Sequence, residues 1–256
     1  MKRIATAAAL GLGLTIGAPA FSDTIFGIYV GGGTIDYDYS GDFTDLEDGG
    51  DPVSLENDLG LSGDSGNYFY VAIEHPIPIL PNIKVAHSDI SESAANTLDK
   101  DITFGGQTFP EGTYLRTDVD FTHTDFTFYY EVLDNWISLD LGLTARKFDG
   151  EIVSQGSYLI FNETAEEKLD FTAPLLYGMA RFDLPITGLY VQADGNWIGA
   201  GGAQLFDVWG KVGYTFAFGL GLEAGLRKLA LELDDVDDLD ADITLDGTYF
   251  AATFHF

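Results

Sequence analysis

The chain has 256 residues, with 41 Asp and Glu against 12 Lys and Arg, a formal net charge of −29, and no cysteine. So acidic a balance excludes nucleic acid as a partner, because phosphate binding needs basic patches. Without thiols, neither a disulfide framework nor a thiolate metal site can form.

The first element is a leader. Met1-Lys2-Arg3 precedes an uncharged run from Ile4 to Ser22, with small residues in Ala18-Pro19-Ala20 and Ala20-Phe21-Ser22. Basic, apolar and small residues in that order predict a secretory signal peptide over 1–22, cut after Ser22, and a mature domain over 23–256. A membrane anchor is the competing reading. The stretch is short for one, rich in Ala and Gly, and has no basic stop-transfer flank.

Beyond the leader the longest uncharged run is 12 residues, Gly195 to Phe206. A spanning helix needs ~20 apolar residues. Hydrocarbon tolerates only helices and closed barrels, so a membrane-resident chain of this kind has to cross as a barrel.

Ten segments carry the period-two alternation of strands. They are 24–36, 67–75, 82–90, 117–132, 136–148, 171–184, 189–198, 204–216, 220–233 and 243–256. In the fifth, Ile137, Leu139, Leu141 and Leu143 alternate with Ser138, Asp140, Thr144 and Arg146. In the seventh, Leu189, Val191, Ala193 and Trp197 alternate with Tyr190, Gln192, Asp194 and Asn196. The eighth sets Phe206, Val208, Val212, Tyr214 and Phe216 against Asp207, Trp209, Lys211 and Thr215.

A soluble β-sandwich would alternate in the same way, and connection lengths separate the two. Short links (76–81, 133–135, 185–188, 217–219) mostly take turns with long ones (37–66, 91–116, 149–170, 234–242), the brief link 199–203 being the exception. Short turns on one rim and long loops on the other describe an outer-membrane barrel. The expected fold is therefore all-β, an antiparallel up-and-down transmembrane barrel of about ten strands, with eight as the next choice. Aromatics near strand ends (Tyr68, Phe69, Trp136, Trp197, Tyr214) match interfacial girdles. Phe254 and Phe256 at the end of the last strand resemble the signal read by the barrel-assembly machinery.

Several stretches resemble an uncharacterised family of Gram-negative outer-membrane β-barrels associated with the GlyGly C-terminal sorting system. They are Tyr68-Phe69-Tyr70-Val71-Ala72-Ile73-Glu74-His75-Pro76, Leu80-Pro81-Asn82-Ile83-Lys84, the run from Tyr129-Tyr130-Glu131 through Asp134-Asn135-Trp136 to Leu143, and Arg146-Lys147-Phe148-Asp149-Gly150. The resemblance implies a fold and an address, the outer membrane. It brings no activity.

Three constellations are candidates for chemistry. Asp36, Asp38, Ser40, Asp42, Thr44 and Glu47, with Gly41 between them, have the spacing of a 12-residue EF-hand Ca²⁺ loop. The competing reading is a solvated acidic loop, since nine acidic and no basic residues lie between 37 and 66. Ca²⁺ is the one cofactor this pattern suggests. Ten charges fall on the inward parity: Glu74, Asp140, Arg146, Arg181, Asp183, Asp194, Asp207, Lys211, Glu223 and Arg227. In a narrow lumen these read as an ion-paired plug, or else as a polar path for small solutes. Lastly, His87-Ser88-Asp89 and His123-Thr124-Asp125 on neighbouring strands would make a His/Asp cluster for general-base work if both faced inward, as in an omptin-like or lipid-modifying surface hydrolase. Parity with Ile83 and Val85 turns His87 toward lipid.

The sequence thus points to a monomeric outer-membrane barrel with acidic outer loops. Its expected role is structural, binding or limited solute passage, with a divalent-cation-binding surface protein or adhesin as the alternative. Expected partners are outer-membrane lipid, lipopolysaccharide and the assembly machinery.

Overall fold

The computed structural model describes residues 26–47, 50–158, 161–236 and 238–256. The leader expected over 1–22 lies outside these. Strands run in the order β1 (Gly27–Asp45), β2 (Val53–Ser54), β3 (Ser65–Glu74), β4 (Asn82–Ser88), β5 (Ser91–Thr97), β6 (Ile102–Phe104), β7 (Gln107–Phe109), β8 (Tyr114–Asp120) and β9 (His123–Asp134). They continue with β10 (Ile137–Phe148), β11 (Gly150–Tyr158), β12 (Phe161–Leu169), β13 (Thr172–Asp183), β14 (Leu189–Ala200), β15 (Ala203–Thr215), β16 (Leu220–Val236) and β17 (Leu239–His255).

Ten of these close a barrel. β1, β3, β4, β9, β10, β13, β14, β15, β16 and β17 pair antiparallel in that order, and β17 returns to β1 through a register from Tyr29↔His255 to Asp45↔Leu239. Closure leaves no edge, so every backbone group at membrane depth finds a partner within the wall. Each of the ten predicted segments falls on a barrel strand over its described residues, except that the fourth, 117–132, begins on β8, outside the barrel wall. Gly201 and Gly202 make the tight turn between β14 and β15 with φ of +62° and +87°, a pair of left-handed conformations that a two-residue hairpin turn demands.

The long loops are corrected. The spans 91–116 and 149–170 hold β5, β6, β7, the start of β8, β11 and β12. The order β5-β8-β11-β12 repeats the order of the barrel strands β4-β9-β10-β13 that lead into them. Four wall strands therefore run on past short breaks at 89–90, 121–122, 149 and 170–171 as a separate sheet above the barrel. The span 234–242, expected as an acidic loop, contains only the end of β16, a tight turn and the start of β17.

Polarity inverts along the strands. At the short-turn end of β16, Leu222 and Leu226 face out while Glu223 and Arg227 face in; further up, Lys228 and Glu232 face out and Leu229 is buried. On β17 the outward side changes from Phe254 and Phe250 to Asp246 and Asp242, while the inward side changes from Tyr249 to Leu245 and Ile243. The lower barrel is thus apolar outside and polar inside, and the upper part is the reverse. Along β14 the outward apolar positions run from Leu189 to Trp197. At about 3.4 Å per residue and a tilt of about 40° that is roughly 20 Å, close to the apolar band of a transmembrane barrel.

Above the band lies a globular core. Val53, Leu55, Leu59 and Leu61 fold inward from the segment after β1 and pack with Ile35, Tyr37, Tyr39, Ile90, Leu98, Ile102, Phe109, Leu115 and Leu245. This head covers the outer mouth of the barrel.

Candidate functional site

The chemistry-bearing side chains gather inside the barrel in three tiers. All ten predicted lumen charges lie on the inner face. The upper tier centres on Asp207 of β15, fully buried. Arg227 of β16 donates to it through Nε at 2.8 Å and Nη2 at 2.7 Å. Arg146 of β10 donates to it through Nη2 at 2.5 Å and grips Asp125 of β9 with Nε and Nη2, both at 2.7 Å. Two guanidinium groups thus meet two carboxylates through forked bonds, the geometry that best offsets the cost of burial. Arg227 Nη1 also donates to Tyr37 Oη at 2.8 Å and Ser88 Oγ at 3.1 Å.

His123 completes this tier. Its Nε2 lies 3.0 Å from Arg227 Nη2, and its Nδ1 lies 2.9 Å from the Phe121 carbonyl. Arginine can only donate, so Nε2 accepts and the proton sits on Nδ1, making the ring neutral.

In the middle tier, Lys211 Nζ is 2.9 Å from Asp194, and Gln192 donates to the same carboxylate at 2.7 Å. Lys84 Nζ lies 4.0 Å from Asp194, over the rings of Tyr70 and Tyr177. Trp209 fills the axis between Tyr68 and Tyr249, with ring centroids 4.6 and 5.1 Å away. The lower tier is acidic and phenolic. Glu223 accepts from Tyr190 at 2.6 Å and Tyr249 at 2.9 Å, and Glu74 accepts from Tyr129 at 2.8 Å. Arg181 pairs with Asp183 at 2.8 Å. Asp140 is buried, and its Oδ1 has no hydrogen-bond partner.

Glycine makes room for this filling. A Cβ on Gly31 would strike the Tyr70 ring, and one on Gly213 the Tyr190 ring. Beside Ser88, Asn196 and Trp209 lies a cavity of about 20 Å³, room for about one water. The arrangement is a packed, ion-paired interior.

The other two constellations do not assemble. Asp36 to Asp45 is extended strand in β1, paired with β17 along one flank and, on the other, with β3 only as far as Asp36 and with β2 at Asp42 and Phe43, so its carboxylates alternate with Tyr37 and Tyr39. Asp36 bonds the Ser65 hydroxyl at 2.6 Å. Among the described residues no three His, Asp or Glu side chains converge as a metal site; of the EF-hand-like set, Asp36, Asp38, Ser40, Asp42 and Thr44 stand on strand β1 and Glu47 in the turn after it. The His/Asp cluster is divided by the same parity rule. His87 pairs with Thr124 and Ser88 with His123; His87 lies on the outer face against Phe69 and Thr124, and His123 lies inside. The hydrolase reading needed both on one face. Phe254 and Phe256 lie on the outer face with ring centroids 5.4 Å apart.

Sequence reading missed Tyr37 and Ser88 as partners of Arg227. The signal was present in the alternation Asp36-Tyr37-Asp38-Tyr39, which puts the phenol inside.

Closed wall, apolar band and filled polar interior together define a ten-stranded transmembrane β-barrel. Neither a protein-family profile nor a curated protein sequence matches the chain. Among solved structures, the outer membrane protease OmpT of Escherichia coli is similar, with a TM-score of 0.47 and 9% identity over 95% of this chain and 99% of that one. So is Ail, the attachment invasion locus protein of Yersinia pestis, with a TM-score of 0.37 and 12% identity over 89% and 99% of the two chains. A FadL homologue of Pseudomonas aeruginosa gives 0.35 and 9% over 91% and 90%. At these scores the likeness carries no argument, and the architecture rests on the closed strand order itself.

Proposed function

We propose that this protein is an exported outer-membrane barrel that carries a folded, acidic β-structured head at the cell surface, and that it serves a structural or binding role instead of conducting solutes. The observation that carries the reading is the inversion of polarity along β16 and β17. A band that is greasy outside suits lipid, and a head that is greasy inside suits water. The filled interior argues against passage. Export by the leader, delivery by the assembly machinery through Phe254 and Phe256, contact with lipopolysaccharide, the monomeric state and kinship with the sorting-associated barrel family belong to the same proposal.

The test is surface labelling of intact cells. Cysteine replaces Asp240 in the head or Thr187 in a short turn, and a membrane-impermeant maleimide is added. The expected result is labelling at 240 alone, in an outer-membrane fraction that needs detergent for extraction. Labelling at 187 alone, or a protein soluble without detergent, would overturn the reading.

A further inference from the structure

The two upper rows of the outward face of the four-stranded sheet differ in chemistry from the rest of the head, while the rows below them carry Asp118 and Glu166, then Asp120, Glu151 and Lys168. Side-chain parity runs unbroken from the lipid band into this sheet: even positions face outward on β9 and β8, odd ones on β10 and β11. The face is therefore the upward continuation of the apolar band. Its registers give a grid of rows. The topmost is Thr97, Tyr114, Ser157 and Asn162; the next is Ala95, Arg116, Gln155 and Thr164. Neighbours in such a row stand about 4.5–5.5 Å apart.

On the opposite wall of the head the registers place Glu232, Asp242 and Asp42 in one row. That wall is anionic, whereas the upper rows of the sheet carry hydroxyls, amides, one phenol and one guanidinium. Tyr114 is 55% exposed. Arg116 has 59% of its side chain in solvent and a single long contact, 3.4 Å to Asp118. Asp118 is itself engaged by the Ser93 hydroxyl. Exposed Tyr and Arg beside amides and hydroxyls are the groups that form binding hot spots with adaptable hydrogen bonds.

We infer that this face, centred on Tyr114, Arg116, Gln155 and Asn162, binds the saccharide of outer-leaflet lipopolysaccharide in the protein's own membrane. The inference rests on the outer-membrane reading above. A sugar offers hydroxyls to the amides and an apolar ring face to Tyr114, and its acidic substituents find Arg116. The sugar layer stands directly above lipid, where continuity with the band places this sheet. The outward positions of β16, β17 and β1 carry carboxylates and neither a phenol nor a guanidinium, so that wall lacks the pair that would hold a sugar.

Photo-crosslinking in living cells tests it. A benzophenone amino acid is placed at Gln155, at Asp42 on the acidic wall, or at Phe128 in the apolar band of the full-length protein. The expected result is a lipopolysaccharide adduct from position 155, little from 42, and about a tenfold loss at 155 when Tyr114→Ala and Arg116→Ala are added, as removal of paired hot-spot contacts predicts. In cells whose lipopolysaccharide lacks core sugars, the adduct at 155 disappears while position 128 still captures lipid. Equal adducts from 155 and 42, indifference to Tyr114 and Arg116, or capture of a different polysaccharide overturns the inference. A lipid adduct at 128 with none at 155 defeats this inference alone. Absence of any lipid adduct at 128 defeats the membrane reading.

Discussion

Arg227 on β16 reaches the buried carboxylate of Asp207 on β15 with two parallel bonds, Nε at 2.8 Å and Nη2 at 2.7 Å. The two Cα atoms are not a registered pair: Asp207 opposes Leu229, and Arg227 opposes Trp209. The contact is thus diagonal, and it needs the reach and planar fork of arginine. Arg227→Ala leaves Asp207 with Arg146 alone and strips the donors from Tyr37, Ser88 and His123. Breaking a buried pair in this way costs about 3–5 kcal/mol. Urea unfolding of the barrel in lipid vesicles checks the value. Arg227→Lys, which keeps the charge and loses the fork, is expected to recover less than half of the loss.

Inverted polarity makes paired substitutions behave oppositely on one strand. Leu222 faces lipid on β16, and Lys228 faces out above the band. Leu226, on the same face, registers with Gly210 and Ala193 at mid-band, and Leu226→Arg is expected to cost about 2–4 kcal/mol, the range for a cation on the lipid face near the midplane. Position 228 already bears a cation, and Lys228→Arg is expected to change stability by less than about 0.5 kcal/mol. Inside the head, Leu245 is 1% exposed, and Leu245→Ala is expected to cost about 2–5 kcal/mol. Unfolding in vesicles of one composition measures all three, and near-equal losses at 226 and 228 would contradict the boundary.

The barrel was legible because alternation is strongest where one face meets hydrocarbon. Strands such as Leu189–Ala200 carry large apolar groups on one parity and polar ones on the other, and their short turns are unambiguous. The head was not legible as strands. Its inward positions include Thr117 and Ser154, which bond one another at 3.0 Å in a buried site, and its outward positions are also polar, so the contrast that marks a strand fades. The acidic tract around Asp36 read as a loop because its carboxylates shared an EF-hand spacing. The tyrosines between them were the better guide, because Tyr37 and Tyr39 at alternate positions need an inside. The lumen charges could be enumerated from parity, but their pairing depends on registers that no local pattern states.

Acid should act on one exposed contact of the head only below the ordinary carboxylate range. Asp118 is held below the usual carboxylate range, first by the hydrogen bond from Ser93 and then by Arg116. A carboxylate with a depressed folded value contributes stability above its unfolded value of about 3.9. That contribution is lost as pH falls through the folded value. Ser93→Ala is expected to move the Asp118 titration up toward the ordinary range and to leave the rest of the head unchanged. Carbon-detected NMR of the side-chain carboxyl reads the shift, and an unchanged midpoint would show that the Ser93 bond is not what holds it. Solvent screening keeps the stability effect small, since Asp118 is partly exposed.

Two seals in series predict a barrel that conducts nothing. The first is the Arg146–Asp207–Arg227 tier with Trp209 of the middle tier packed against Arg227. The second is the apolar plug of Val53, Leu55, Leu59 and Leu61 over the outer mouth. Planar-bilayer recordings of the intact protein are expected to show no steady or stepped current. Replacing 51–64 with a short Gly-Ser linker removes the plug and leaves the charged tier. Substituting Trp209→Ala and Arg227→Ser loosens the tier and leaves the plug. Each change alone is expected to stay silent, because a path in series is closed by either barrier, and only the combined variant should pass ions. A conducting wild-type protein, or full conductance from either change alone, would show that the interior is looser than its packing.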